Sequence, residues 1–394
     1  MGPVSLYFDY RDLFKSLRLA LSGKKIWIFI SGNVTGYIFY WIFSYVAIIL
    51  SGETFNDALT KYGLYPYLEI STSDWPSQLI YFLGLFTLII SFLLSNTAVS
   101  RVTYRQLKGD DFYSPKDSYN YLHKHWHPVL FAPIAILFII FIFVVFASFF
   151  ALIGSIPVFG EFLFSFAYII YFFGALFTFY TFFVLAVCLM FTPAIVSVCE
   201  EDTMGAVFHS YATTTSQPWR LILYHTMLIP LLLIGLVVMS WFWMNTVGFI
   251  DFIFGHDWFM AEKFSKISNY AFRLIFPDII SDIFVLLKEQ LWSIFGFNLY
   301  FPTLFPLDFK SSADSLKIVD IAGGTILSLS YFLLFLSVIS YGFSIISVGH
   351  TIMFIIFKKL SDDENLLLGE DEFPKNYNGG MDIDKKVELK GEID

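Results

Sequence analysis

VLFAPIAILFIIFIFVVFASFFALIG, from Val129 to Gly154, carries no ionisable side chain. A helix rises about 1.5 Å per residue, so about 20 residues cross the roughly 30 Å hydrocarbon layer of a bilayer. A run of this length and polarity satisfies its backbone internally only as a helix, which is what lipid demands of a single spanning segment. The stretch therefore sets the fold class: all-α, a polytopic transmembrane helix bundle. The same pattern recurs on either side. A polar or basic stretch leads into a long apolar run, a loop and a second apolar run. The three copies open at Arg11–Arg18 with Trp27, at Asp117–Tyr121 with Trp126, and at Ala206–Tyr211 with Trp219 and Arg220. Six spans result, as three hairpins, each preceded by a cytoplasmic interfacial amphipathic helix. The spans are expected at about 26–50, 79–99, 129–154, 162–198, 221–250 and 321–357.

Composition supports this class. The 394-residue chain is 57% hydrophobic, 21% aromatic and 14% charged, against roughly 25% charged residues in soluble domains. Lipid is the natural solvent for 49 Phe. No groove of Lys and Arg points to nucleic acid. Cys188 and Cys199 lie near one end of the same apolar run and read as buried thiols, not a disulfide framework. The first apolar run is too long for the core of a cleavable signal peptide and lacks a small-residue cleavage site.

Orientation follows from the excess of cations on cytoplasmic loops. Lys24, Lys25, Arg101, Arg105, Lys108, Arg220, Lys358 and Lys359 flank the runs on one side, whereas the 51–77 loop offers Lys61 alone. Both termini are expected in the cytoplasm of a bacterial cell, with the chain in the inner membrane. Residues 1–25 form a head in which Leu13, Leu17 and Leu21 share a helical face, suited to lying among headgroups. Residues 26–358 form the membrane domain, and 359–394 an acidic tail too polar to fold alone. The outer loop 251–320 carries an apolar stripe, Ile279, Ile280, Ile283, Phe284, Leu287 and Leu291, on a helix expected from Pro277. That helix rests on the membrane, caps the bundle or docks a partner. The fourth run is overlong for one straight crossing and must tilt, protrude or break near Pro193.

Ionisable groups inside a bilayer are costly and each carries a hypothesis. Glu161 is the only acid or base between Val129 and Cys199. It reads as a carboxylate at a helix start or as a cation-coupling group. His225 lies five residues after Arg220 and His350 eight before Lys358. If their helices pack together the two imidazoles meet, for interhelical hydrogen bonding or for proton relay. His123 and His127 share a face if that segment is helical, but they lack the further ligands a zinc site requires. Asn33 and Thr35 accompany Gly32 and Gly36, a small-residue pair that favours close helix packing or lines a groove. Trp27, Trp126, Trp219 and Arg220 are the interfacial anchors. No P-loop, Rossmann fingerprint or GxSxG appears. No catalytic residue, metal ligand set or cofactor is expected.

Two segments, Thr192-Pro193-Ala194-Ile195-Val196 through Glu200-Glu201-Asp202-Thr203 to Ser216-Gln217-Pro218-Trp219-Arg220, and Arg105–Tyr113 with Trp126-His127-Pro128, resemble a broad group of uncharacterised bacterial six-helix integral membrane proteins. The resemblance covers residues 100–230. It implies a six-helix bacterial membrane protein and brings no activity. The reading that results is a non-enzymatic scaffold, assembly factor or accessory subunit of a larger membrane complex. Its partners are the lipid bilayer and another membrane protein or a second copy of the chain. The alternative is a small transporter or channel for an apolar or lipid-like solute, and a third is a lipid-modifying enzyme.

Overall fold

A computed structural model of the chain describes residues 6–71, 73–275 and 317–367. The helix expected from Pro277 and the tail beyond Leu367 lie outside the described residues. Among those described there is no strand, and six helices are long and apolar enough to cross a membrane. A single 3-10 turn, Tyr10–Phe14, leads into α1 (Lys15–Ala20). Then come α2 (Gly23–Leu50), α3 (Phe55–Tyr62), α4 (Trp75–Leu107), α5 (Pro115–Gly154) and α6 (Phe159–Cys199). They are followed by α7 (Thr203–Ser216), α8 (Pro218–Phe254), α9 (Glu262–Ile275) and α10 (Ile318–Asp362). The long six are α2, α4, α5, α6, α8 and α10.

Local chemistry sets the boundaries. Ser114 and Asp117 form a reciprocal capping box at the start of α5, with Pro115 in the first turn. The Asp202 carboxylate accepts from Gly205 N at 2.7 Å and opens α7. Lys108 closes α4, and Gly109 follows at φ +97°, a conformation only glycine takes without strain. Pro128 removes one hydrogen bond from α5 and crowds the preceding turn. The helix kinks there, at His125 (φ −120°, ψ 24°). The segment expected as a separate interfacial helix before the third span is thus the first part of α5, joined to it through the kink. Of the alternatives for the fourth run, a break at Pro193 is excluded. α6 runs on through it to Cys199.

Three helix pairs run antiparallel. Gly32 of α2 meets Ser95 of α4, Gly36 meets Ser91, and Gly84 meets Phe43. The Phe143 ring of α5 packs tilted against that of Phe177 of α6, and Phe150 against Tyr171. Gly235 of α8 faces Tyr341 and Ile345 of α10, and Gly349 of α10 faces Leu228. The three pairs are joined mainly at one end. The largest buried cluster draws on α4 from Leu93 to Leu107, α6 from Val184 to Val198 and α10 from Tyr341 to Phe357. At the other end α5 and α6 leave the bundle and stay exposed on several sides, with Phe166 91% exposed.

The head departs from expectation. Leu13, Ser16 and Ala20 are fully buried, not laid against headgroups. The Tyr341 hydroxyl donates to the Leu17 carbonyl and the Ser344 hydroxyl to the Ala20 carbonyl. The helix stops at Ala20, so Leu21 falls off the stripe and is exposed. α9 was not expected from the sequence. Phe264, Ser268, Ala271, Phe272 and Ile275 form its buried face, and the Ser268 and Tyr331 hydroxyls lie 3.0 Å apart, tying it to α10.

Candidate functional site

The polar chemistry of the molecule concentrates at the tied end. Arg101, on the last turns of α4, is only 3% exposed. Its guanidinium donates to the Ser197 carbonyl at 2.8 Å and to Glu200 Oε1 at 2.6 Å, and it lies over the Tyr121 ring at 4.2 Å. The Tyr121 hydroxyl donates to the Val196 carbonyl at 2.6 Å. Helix ends leave their last carbonyls without internal partners. Here the end of α6 is capped by α4 and α5, and Glu200 closes it in the left-handed conformation at φ +56°.

Lys25 is one of the cations that flank the spans on the expected cytoplasmic side. Its side chain is fully buried, with Nζ donating to the Leu19 carbonyl at 2.8 Å and to Gln106 Oε1 at 2.9 Å. Asp12 is also fully buried. It accepts from Phe8 N at 2.8 Å and from Lys15 Nζ at 2.7 Å. Gln217, between α7 and α8, donates to the Phe357 carbonyl of α10 at 3.1 Å. Ser and Thr line the seam between α4 and α10, where the Ser100 and Ser347 hydroxyls lie 3.2 Å apart. Outside the spans, Lys359 donates to Asp363 Oδ1 at 2.7 Å and holds that carboxyl below its ordinary pKa.

His225 and His350 come together. Their ring centroids are 5.1 Å apart, and Phe191 of α6 stands against both, at 5.7 and 5.3 Å. Asn33 reaches Ser340 Oγ at 3.4 Å, tying α2 to α10. Glu161 stands apart, exposed in the first turn of α6. His123 and His127 are exposed, and the kink between them breaks the register that would align them. His125 instead stacks on Tyr121 at 4.2 Å. Trp126 stacks on His127, and Trp219, 62% exposed, holds Arg220 at 5.4 Å over its ring.

A groove of about 340 Å³ lies between α2, α4 and α5, lined by Trp27, Ser31, Thr35, Ser91, Leu94 and Tyr119 among others. Its hydroxyls are largely committed to the helices. Ser31 donates to Ile28, Thr35 to Ser31 and Ser91 to Gly32, each to a main-chain carbonyl. Among the described residues no group of three or more His, Cys, Asp or Glu converges as a metal centre would require. No family model, curated protein or solved structure matches the chain.

Sequence reasoning missed Arg101 and Lys25 as buried groups. No local signal marks either, since acceptors that hold them, Ser197 and Gln106, lie 96 and 81 residues on.

Proposed function

We propose that the chain is a scaffold or accessory subunit of a bacterial inner-membrane complex, built from three transmembrane hairpins with both termini in the cytoplasm. One observation carries this reading. The hairpins meet at one end, where Arg101 of α4 bonds Ser197 and Glu200 at the end of α6 and the Ser100 hydroxyl of α4 lies 3.2 Å from that of Ser347 of α10, while the far halves of α5 and α6 stand clear of the bundle. Ile169, Ile170, Phe172 and Phe173 are exposed on either side of the half-buried Tyr171, so most of the girth of α6 is uncovered there. Packing, not water, drives helix association in lipid, and a projecting aromatic hairpin offers a large area for it. At the other end Arg101, Lys25 and Asp12 bond neighbouring backbone and side-chain groups, as structural groups do.

A photo-crosslinking residue in place of Phe166 should trap a discrete protein partner in living cells, and one in place of the buried Thr192 should not. If position 166 yields lipid adducts alone, the scaffold reading fails. The groove beside Trp27 favours the second reading, a small transporter for a lipid-like solute. In that case Thr35→Trp, at an exposed position on the groove wall, abolishes the cellular phenotype while leaving partner capture unchanged.

The orientation rests on the cations gathered at the tied end: Lys24, Arg101, Arg105, Arg220, Lys358 and Lys359. Amphipathic segments at that end, including α7, would sit at the headgroup level. In a variant with both native cysteines replaced, Thr60→Cys is expected to react with a membrane-impermeant maleimide added to cells whose outer membrane is opened. Lys116→Cys should react only after the inner membrane is lysed. The reverse pattern overturns the topology.

A further inference from the structure

The His225 and His350 rings are held in a way that packing alone does not require. His225 Nδ1 lies 2.7 Å from the Leu221 carbonyl, so that nitrogen carries the hydrogen. In a neutral imidazole the other nitrogen is then a lone-pair donor. The His350 ring lies 5.3 Å from the Phe191 ring and 5.1 Å from the His225 ring, centroid to centroid. Two nitrogens, His225 Nε2 and His350 Nδ1, are both buried and have no hydrogen-bond partner in the protein. His350 is 6% exposed. Leaving two such nitrogens unpaired in a membrane-level core is unfavourable.

The same arrangement is what a metal-binding imidazole needs. In His225 one ring nitrogen is fixed on a backbone carbonyl, which sets the tautomer and leaves Nε2 free to coordinate, and His350 offers its unpartnered Nδ1 beside it. The rings belong to different helices, α8 and α10, and approach within 5.1 Å. Two imidazoles whose nitrogens lie about 2.0–2.1 Å from one tetrahedral ion have centroids about 5 Å apart, and a wider angle at the ion adds about 1 Å. The spacing is therefore within reach of a shared ion after a small rotation of His225, which is only half-buried.

The donor count selects the ion. Zinc and other divalent ions take four or more ligands, and no third His, Cys, Asp or Glu joins the pair among the described residues. Copper(I) is a monovalent, filled-shell ion that two neutral nitrogen donors in line can satisfy, and a single positive charge costs least to hold in an apolar core. We propose that His225 and His350 form a two-imidazole site for one copper(I) ion per chain.

The test loads the full-length protein, purified in mild detergent, with copper(I) under a reductant and a competing chromogenic chelator. One equivalent is expected to be retained by the wild type and by a His123→Gln/His127→Gln variant. His225→Gln and His350→Gln should each lose it, with at least a tenfold weaker competition against the chelator. Copper-edge X-ray absorption of the loaded wild type should show two nitrogen neighbours and no sulfur. That measurement decides the matter even if a Gln variant fails to fold. Retention of the ion by the Gln variants, its loss in the His123/His127 variant, a sulfur neighbour, or no binding by the wild type each overturns the proposal.

Discussion

Arg101→Ala is expected to cost the detergent-solubilised protein about 3 kcal/mol of stability, with a correspondingly lower melting temperature. Arg101 is 3% exposed, so its loss opens a cavity as well as removing bonds. It also strands the Ser197 carbonyl, which the guanidinium satisfies at 2.8 Å in the last turn of α6. The ion pair with Glu200 is the smaller part. The Glu200 side chain is 50% exposed, and pairs open to water contribute about 1 kcal/mol or less. Glu200→Gln should therefore cost a fraction of what Arg101→Ala does. Arg101→Lys keeps the charge but cannot reach carbonyl and carboxylate together with one fork, so it should recover only part of the loss. Thermal unfolding followed by tryptophan fluorescence reads all three. If Arg101→Ala melts with the wild type, the contact between α4 and α6 does not contribute to stability.

The sequence made the six long helices legible because lipid enforces a simple rule, an uninterrupted apolar run of sufficient length. The meeting of His225 and His350 was legible for a related reason. Their distances from Arg220 and Lys358 put them at similar depth, and depth is one coordinate that a membrane helix exposes in its sequence. Lateral position is not exposed in that way. Lys25 bonds Gln106, 81 residues on, and Arg101 bonds Ser197, 96 residues on. A cation at the end of an apolar run reads as one reaching toward water, and nothing local distinguishes it from one turned inward to a neighbouring helix.

The head was misread in the same way. Leu13, Leu17 and Leu21 make an amphipathic stripe whether the apolar face meets lipid or protein. Tyr341 and Ser344, more than three hundred residues away, decide which. α9 failed for a different reason. Its buried face is carried by Phe264, Ala271, Phe272 and Ile275 among Glu262, Lys263, Ser265, Lys266 and Asn269, a soluble-type pattern. In a chain read for long apolar runs, such a pattern is passed over as loop.

The second large effect is expected at Gly36. Along α2 and α4 the backbones approach closely because Gly32, Gly36 and Gly84 carry no side chain there. A Cβ at Gly36 would stand 2.7 Å from Ser91 Cβ and 3.6 Å from Leu88 Cα. Neither atom is the free end of a flexible side chain, so the helices themselves must part. Ser91 is also held in place, its hydroxyl donating to the Gly32 carbonyl. Gly36→Leu adds three more carbons to that contact. It should cost about 3 kcal/mol, at the upper end of overpacking effects, and reduce accumulation in the membrane. Gly36→Ala should cost less, and Ser91→Gly in the Gly36→Leu background should restore part of the loss by vacating the site. Gly174 on α6 supplies the comparison, since a Cβ there meets nothing within 4 Å. Gly174→Leu should melt within a degree or two of the wild type and accumulate normally. Equal melting of Gly36→Leu and Gly174→Leu would mean that the close approach of α2 and α4 contributes nothing to stability. The bundle would then be held by the contacts at its tied end alone.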